Sequence, residues 1–110
     1  MATWKQVVEL GTSLPETAVG RWYGKPALTI ADKGFLHLGE GDDPMSIPSE
    51  EKDDLLAAKP DAYYQTAHHE GSPWLLVRLA KISKAELHEL LTDAWRMKAP
   101  PKVRRAHPEV

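Results

Sequence analysis

The segment Ala27-Leu28-Thr29-Ile30-Ala31-Asp32-Lys33-Gly34-Phe35-Leu36-His37-Leu38 decides the fold class of this chain. Two alternating runs flank the turn sequence Ala31-Asp32-Lys33-Gly34, and Gly34 can take the positive φ that many tight turns require. This pattern predicts a β-hairpin. The apolar run Trp74-Leu75-Leu76-Val77-Arg78-Leu79 predicts a central strand, and shorter strands are expected at 45–47 and 62–66.

Three helices are expected around these strands. Thr3 and Gln6 form a capping box that starts a helix from Trp4 to Leu14. Ser49 is expected to cap an acidic helix that ends near Lys59. A third helix follows the capping box Ser83-Lys84-Ala85-Glu86, and its apolar residues fall at i, i+3, i+4, i+7 and i+8. The predicted order α-β-β-β-α-β-β-α indicates an α+β fold in which the helices pack on one face of an antiparallel sheet.

The chain has the length of one compact domain, with 110 residues. We expect residues 1–99 to form it and residues 100–110 to be a loosely ordered, Pro-containing basic tail. With no cysteine the sequence excludes a disulfide scaffold. No apolar run reaches the roughly 20 residues that span a bilayer, and no signal-peptide pattern opens the chain, so a cytoplasmic protein that does not bind membranes is expected. We also expect a monomer or a weak dimer.

The net charge of −2 conceals a segregation of charge along the chain. Residues 40–54 contain seven acidic residues and one lysine, for a net charge of −6, while residues 96–110 contain five basic residues and one acidic residue, for a net charge of +4. Such an asymmetry is found in nucleic-acid-binding tails, although charge runs are more often a solvated helix face and a frayed tail.

The alternation of the strands predicts two different sheet faces. One face is aliphatic and is expected to meet the helices. The other face mixes aromatic, basic and small residues. If all the helices lie on one side of the sheet, this second face meets solvent. Exposed aromatic residues beside cations would then indicate a binding surface. The residues expected on this open face include Phe35, His37, Trp74 and Arg78. Cover by a loop or a partner, or packing of Trp74 on Phe35, would account for the same pattern without a ligand.

The motifs of catalysis are missing from the sequence. There is no P-loop, no G-x-G-x-x-G, no H-E-x-x-H and no G-x-S-x-G. The segment Gly71-Ser72-Pro73 comes near to G-x-S-x-G but lacks the second glycine of that motif. His68 and His69 are adjacent and point to opposite sides of an extended chain, so no metal site is expected. The sequence therefore predicts a protein that is not an enzyme and has no cofactor.

Several blocks between Thr3 and Pro100 resemble the MmcQ/YjbR-like family. These are Leu14-Pro15-Glu16 after the first helix, Trp22-Tyr23-Gly24-Lys25-Pro26-Ala27 before a strand, Leu55-Leu56-Ala57-Ala58 before Lys59-Pro60, the spaced set His68, Gly71 and Trp74, and Asp93-Ala94-Trp95-Arg96 in the last helix. Their order and spacing carry the resemblance. Trp22, Gly24, Pro26, His68, Gly71 and Trp74 form the family motif.

The resemblance implies a compact bacterial domain with a frataxin-like fold, similar also to a double-wing DNA-binding domain. Because fold does not imply function, two hypotheses remain open beside the less favoured one of an enzyme. One is binding of double-stranded DNA, and the other is non-enzymatic binding of a protein or small ligand on the open sheet face. The candidate residues for either are Lys25, Lys33, Phe35, His37, Trp74, Arg78, Lys98, Lys102, Arg104 and Arg105.

Overall fold

A computed structural model of the chain describes residues 1–22, 24–39 and 44–110, except for the side chain of His68. Its helices are α1 (Trp4–Thr12), α2 (Lys52–Ala58), α3 (Lys84–Lys98) and α4 (Pro101–Ala106). Its strands are β1 (Thr17–Trp22), β2 (Lys25–Ile30), β3 (Lys33–Leu38), β4 (Pro44–Pro48), β5 (Tyr63–Tyr64) and β6 (Trp74–Arg78). Two short 3-10 turns lie at Ala67–His69 and Leu79–Lys81.

The six strands form one antiparallel sheet in the order β1-β2-β3-β4-β6-β5. The first four strands form a meander, since each pairs with the next along the chain. Strand β4 then pairs with β6, which leaves the two-residue β5 at one edge and β1 at the other. The predicted α+β fold with an antiparallel sheet is confirmed.

The core lies between one face of this sheet and the helices α1 and α3. Helix α1 packs on β1 and β2, and α3 packs on α1, β3 and β4. The alternation of the strands predicts an aliphatic set for this face, and all of its members are buried, namely Leu28, Ile30, Leu36, Leu38, Leu75, Val77 and Leu79. The buried Trp95 of α3 donates a hydrogen bond of 2.9 Å from Nε1 to the carbonyl oxygen of Pro15, which ties α3 to the turn after α1. The opposite face of the sheet stays open around β3, β4 and β6.

Phe35 lies in the core and not on the open face, where the alternation placed it. Leu28 pairs with Leu36 and Thr29 pairs with Gly34, so β3 contains one extra residue, Phe35, at this point. This β-bulge shifts the alternation, and Phe35 and Leu36 are both fully buried. The bulge also turns Gly34 toward the open face together with its partner Thr29.

Several predicted boundaries differ from the structure. A strand that the sequence analysis did not predict, β1, precedes the predicted hairpin, because the small residues Ala18 and Gly20 hide its alternation. Helix α1 ends two residues earlier than predicted, at Thr12. Helix α2 begins at Lys52, because the hydroxyl of Ser49 accepts a hydrogen bond of 3.1 Å from the backbone N–H of Glu51 and so makes a turn before the helix instead of a cap.

Residues 100–110, which were expected to be loosely ordered, contain the helix α4. Pro101 occupies its first turn, where the missing N–H of proline costs no hydrogen bond. Val103 and Val110 pack against the core, and the carbonyl oxygen of Val110 accepts a hydrogen bond of 2.9 Å from Nε of Arg96. The tail is therefore folded back onto α3.

Candidate functional site

A groove of about 520 Å³ lies on the open face of the sheet. The residues that line it are Trp22, Lys25, His37, Ser46, His69, Ser72, Trp74 and Leu76. They come from β1, β2, β3, β4, β6 and the loop before β6. We call this feature the aromatic groove. Its size and its apolar lining are those of a small-molecule site.

Three rings form the centre of the aromatic groove. The centroids of Trp22 and Trp74 are 5.3 Å apart, and their planes are inclined at 71°. His37 lies 5.1 Å from Trp22 in a similar edge-to-face contact and 6.2 Å from Trp74. All three side chains are partly exposed. Edge-to-face contacts of this kind hold the rings in fixed relative orientations, and they leave ring surface available to a ligand.

Gly34 allows Trp22 to reach this cluster from the end of β1. A Cβ atom on Gly34 would lie 2.7 Å from Cε3 of Trp22, which is closer than non-bonded carbon atoms approach. The indole therefore lies directly on the backbone of β3. The bulge at Phe35 is the reason that Gly34 faces this side, so an irregularity in β3 helps to build the groove.

The loop between β5 and β6 forms the other side of the groove. Hydrogen bonds from Lys52 hold this loop in place. Lys52 begins α2 and is only 7% exposed. Its ammonium donates hydrogen bonds of 2.7 Å to the carbonyl oxygen of His69 and 2.9 Å to that of Ser72. The Ser72 hydroxyl also donates to the His69 carbonyl and accepts from the backbone N–H of Trp74. These bonds set the position at which Trp74 enters β6.

The two histidines of the groove are each held by a local contact. Nδ1 of His37 lies 3.1 Å from the carbonyl oxygen of Leu38, which places a proton on Nδ1. Nδ1 of His69 lies 2.9 Å from the hydroxyl of Thr66 and accepts from the backbone N–H of the same residue. The Ser72 hydroxyl donates to a carbonyl oxygen and not to either imidazole. Within the described groove, then, no serine is hydrogen-bonded to a histidine base.

One of the predicted cations lines the aromatic groove, and a second lies close to one of its rings. Lys25 lines it, and the ammonium of Lys98 lies over the Trp74 ring, 5.5 Å from its centroid. Lys33 starts β3 opposite Ile30, at the other end of β2 from Lys25, and this is a separation of roughly 17 Å. Arg78 lies at the far end of β6, where its guanidinium covers the Tyr64 ring at 4.0 Å and donates to the carbonyl oxygen of Asp61.

The basic residues of the tail make their contacts outside this groove. Lys102 and Arg105 are exposed on α4. Arg104 donates to the carbonyl oxygen of Arg96 and lines a shallow surface pocket with Glu50, Glu51 and Asp93. The structure therefore does not gather the predicted cations on one face, and part of the tail's positive charge lies beside carboxylates.

The titratable groups whose pKa values shift clearly lie away from the groove. Burial and the neighbouring Glu86 carboxylate together raise the pKa of Tyr63 to about 12. A hydrogen bond from Lys59 lowers the pKa of Glu86, with Lys59 Nζ 2.9 Å from the Glu86 carboxylate. These three residues connect the end of α2, β5 and the start of α3.

The described residues contain no group of three or more His, Asp or Glu side chains placed to hold a metal ion. The helices in the described ranges are too short or too polar to cross a membrane. The side chain of the family-motif residue His68 lies outside the described part of the chain. So do Tyr23 and the acidic residues at 40, 42 and 43.

The groove also contains residues that sequence reasoning did not select. Ser46 alternates with the buried Met45 and Ile47, so the pattern of β4 already places it on the open face. Leu76 shares the alternation of Trp74 and Arg78. Lys52 has no such signal, because its neighbours Glu51, Asp53 and Asp54 make it look like one more solvated charge.

Comparisons with known proteins agree with the architecture. A family model described as YjbR matches residues 12–97. The chain is 34% identical to uncharacterized protein Rv2570 of Mycobacterium tuberculosis and to uncharacterized protein Mb2600 of Mycobacterium bovis, in alignments covering 96% of this chain and 95% of each relative. The crystal structure of Deinococcus radiodurans DR2400, described with the domain DUF419, superposes with a TM-score of 0.76 at 15% identity, over 96% of this chain and 88% of that one.

Proposed function

This chain belongs to the YjbR family, and from its aromatic groove we propose that it is a non-enzymatic binding protein for a small, flat ligand. The observation that carries the proposal is the meeting of Trp22 and Trp74, from opposite parts of the sheet, on a partly exposed surface. Apolar area with a few fixed polar groups is the usual composition of a ligand site. Here the polar groups are Ser46, Ser72 and the histidines.

The geometry of the rings limits the shape of the ligand. Two indoles inclined at 71° cannot sandwich a guest between parallel faces. A planar guest therefore stacks on one ring and meets the edge of the other, which is a favourable aromatic arrangement.

A screen of flat heteroaromatic fragments by NMR tests this function. We expect hits to shift the indole N–H signals of Trp22 and Trp74 and to leave that of the buried Trp95 unchanged. The variant Trp74→Ala should lose these hits, whereas Trp4→Phe, on α1, should keep them. Fragments that bind without perturbing either groove indole, or no hits at millimolar concentration, would contradict the proposal.

Nucleic-acid binding is the second candidate, and one observation favours it. Lys98 and Lys25 lie beside partly exposed aromatic rings, a combination that proteins use to stack bases and hold phosphates. Against it, residues 1–95 carry a net charge of −6, and affinity for duplex DNA comes mostly from neutralised phosphates.

A salt titration with duplex DNA decides between the candidates, using the full chain and a version that ends at Pro100. Retardation that falls steeply with salt would favour DNA, and loss of binding on truncation would assign it to the tail.

A further inference from the structure

Lys98 provides a positive charge beside Trp74, one of the residues that line the aromatic groove. It is the last residue of α3, where the negative end of the helix dipole favours a cation. The following residue, Ala99, is buried, so the end of the helix is held in place. The ammonium lies 5.5 Å from the centroid of the Trp74 ring. Cation and ring are thus presented together at one site.

The described lining of the groove differs in charge from that of four other surface pockets. The described residues that line it include Lys25 and two histidines and no carboxylate. Four other surface pockets in the described part of the chain each contain Glu51, Glu89 or both. On an acidic domain, the aromatic groove is therefore a pocket whose described lining contains no carboxylate.

We propose that the ligand of the aromatic groove is a flat anion, that is, an aromatic or conjugated ring system bearing a carboxylate or a phosphate. Lys98 pairs with the negative group, while the ring stacks on Trp22 or Trp74. This inference rests on the proposed function and adds the charge of the ligand to it. A carboxylate or phosphate beside a lysine at a partly apolar surface gains both Coulomb attraction and charge-assisted hydrogen bonds.

Matched probe pairs test the charge separately from the shape. Calorimetric titration of the full chain would compare 2-naphthoate with 2-naphthamide, and quinoline-3-carboxylate with quinoline-3-carboxamide. We expect each carboxylate to bind about fivefold more tightly than its amide, the size of a partly exposed charge pair. In Lys98→Gln this difference should disappear while the affinity for the amides stays the same. The control Lys102→Gln, on exposed α4, should keep it.

The possible results separate the two proposals. If acid and amide bind equally to the unmodified chain, the inference about charge fails and the flat-ligand function stands. If neither member of either pair binds at millimolar concentration, both fail. If a single-stranded thymidine 15-mer displaces the carboxylates with a steep salt dependence, the occupant is a nucleic-acid strand and the assignment of a small anion is overturned.

Discussion

Single residues decide the shape of the aromatic groove. The alternation of β6, and that of β3 beyond its bulge, correctly placed Trp74 and His37 on the open face, because a regularly paired stretch of strand shows its two faces directly in its sequence. The same rule failed for Phe35, since the bulge at Leu28 and Thr29 adds a residue that no local pattern announces. The bulge depends on the pairing partner, and pairing is a property of the sheet and not of the strand.

Substitution of Gly34 should displace Trp22 more than it disturbs the fold. In Gly34→Ala the new Cβ would lie 2.7 Å from the Trp22 ring, so the ring must move away from Trp74 and His37. We expect a loss of about 1 kcal/mol in the free energy of unfolding, a changed near-ultraviolet circular dichroism spectrum and weaker binding of groove probes.

Gly20→Ala is the matched control for that substitution. It adds the same methyl group to the open side of β1, where the nearest atom, Cγ2 of Thr29, lies 3.3 Å away and is the end of a side chain. Its spectrum and probe affinity should stay close to those of the unmodified chain. An unchanged Trp22 indole signal in Gly34→Ala would contradict the role assigned to Gly34.

At the level of elements, helices with a clear capping sequence were predicted correctly, whereas a strand and a helix without a clear local pattern were not. The capping boxes at Thr3 and Ser83 are both formed, with hydroxyl–amide distances of 3.2 and 3.1 Å. Strand β1 was missed because its identity comes from pairing with β2. Helix α4 was missed because Pro100 and Pro101 suggested a break, whereas Pro101 in fact begins a new helix.

Helix α2 and the loop before β6 are coupled through Lys52, and removal of its ammonium should show this. In Lys52→Met, the Ser72 carbonyl loses a hydrogen bond of 2.9 Å, while the His69 carbonyl keeps the bonds from Ser72. We expect a loss of about 2 kcal/mol in the free energy of unfolding, measured by urea denaturation. The exposed Lys5→Met should change the free energy of unfolding by less than about 0.5 kcal/mol.

Amide hydrogen exchange shows which part of the chain is affected in Lys52→Met. Faster exchange confined to residues 69–74 would identify the loop, and equal effects of the two variants would refute the coupling.

At the level of the whole molecule, the cluster of Lys59, Tyr63 and Glu86 joins three elements at one edge of the sheet. The Tyr63 hydroxyl donates to Glu86 at 3.3 Å, and Lys59 donates to both carboxylate oxygens. Glu86 also accepts from the N-cap Ser83, so one side chain caps α3 and holds β5. The sequence predicted the cap from its spacing. It gave no sign of the tertiary contacts, because Lys59 and Tyr63 approach Glu86 only after the chain has folded.

This cluster predicts a loss of stability at alkaline pH. The pKa of Tyr63 is raised to about 12 in the folded chain, whereas an unfolded tyrosine ionises near 10. Above pH 10 the unfolded chain therefore loses this proton first, and the stability associated with neutral Tyr63 declines as the pH rises toward 12. Urea denaturation should show a decline of about 2 kcal/mol over this interval.

Two variants check the origin of that decline. Tyr63→Phe should remove it, and Glu86→Gln should shorten the interval, because burial alone then raises the pKa of Tyr63. A decline of the same size in Tyr63→Phe would show that other groups are responsible.

The bond from Trp95 to Pro15 joins residues that lie 80 positions apart, and this has a consequence for the chain as it leaves the ribosome. The four-stranded meander is synthesised well before α3, which covers its apolar face beside α1. Until then Leu28, Ile30 and Leu36 have no complete cover. Domains fold as units during synthesis, and incomplete ones expose apolar surface that aggregates. The nascent chain is therefore most vulnerable just before Trp95 emerges, and chaperone contacts should concentrate in that interval.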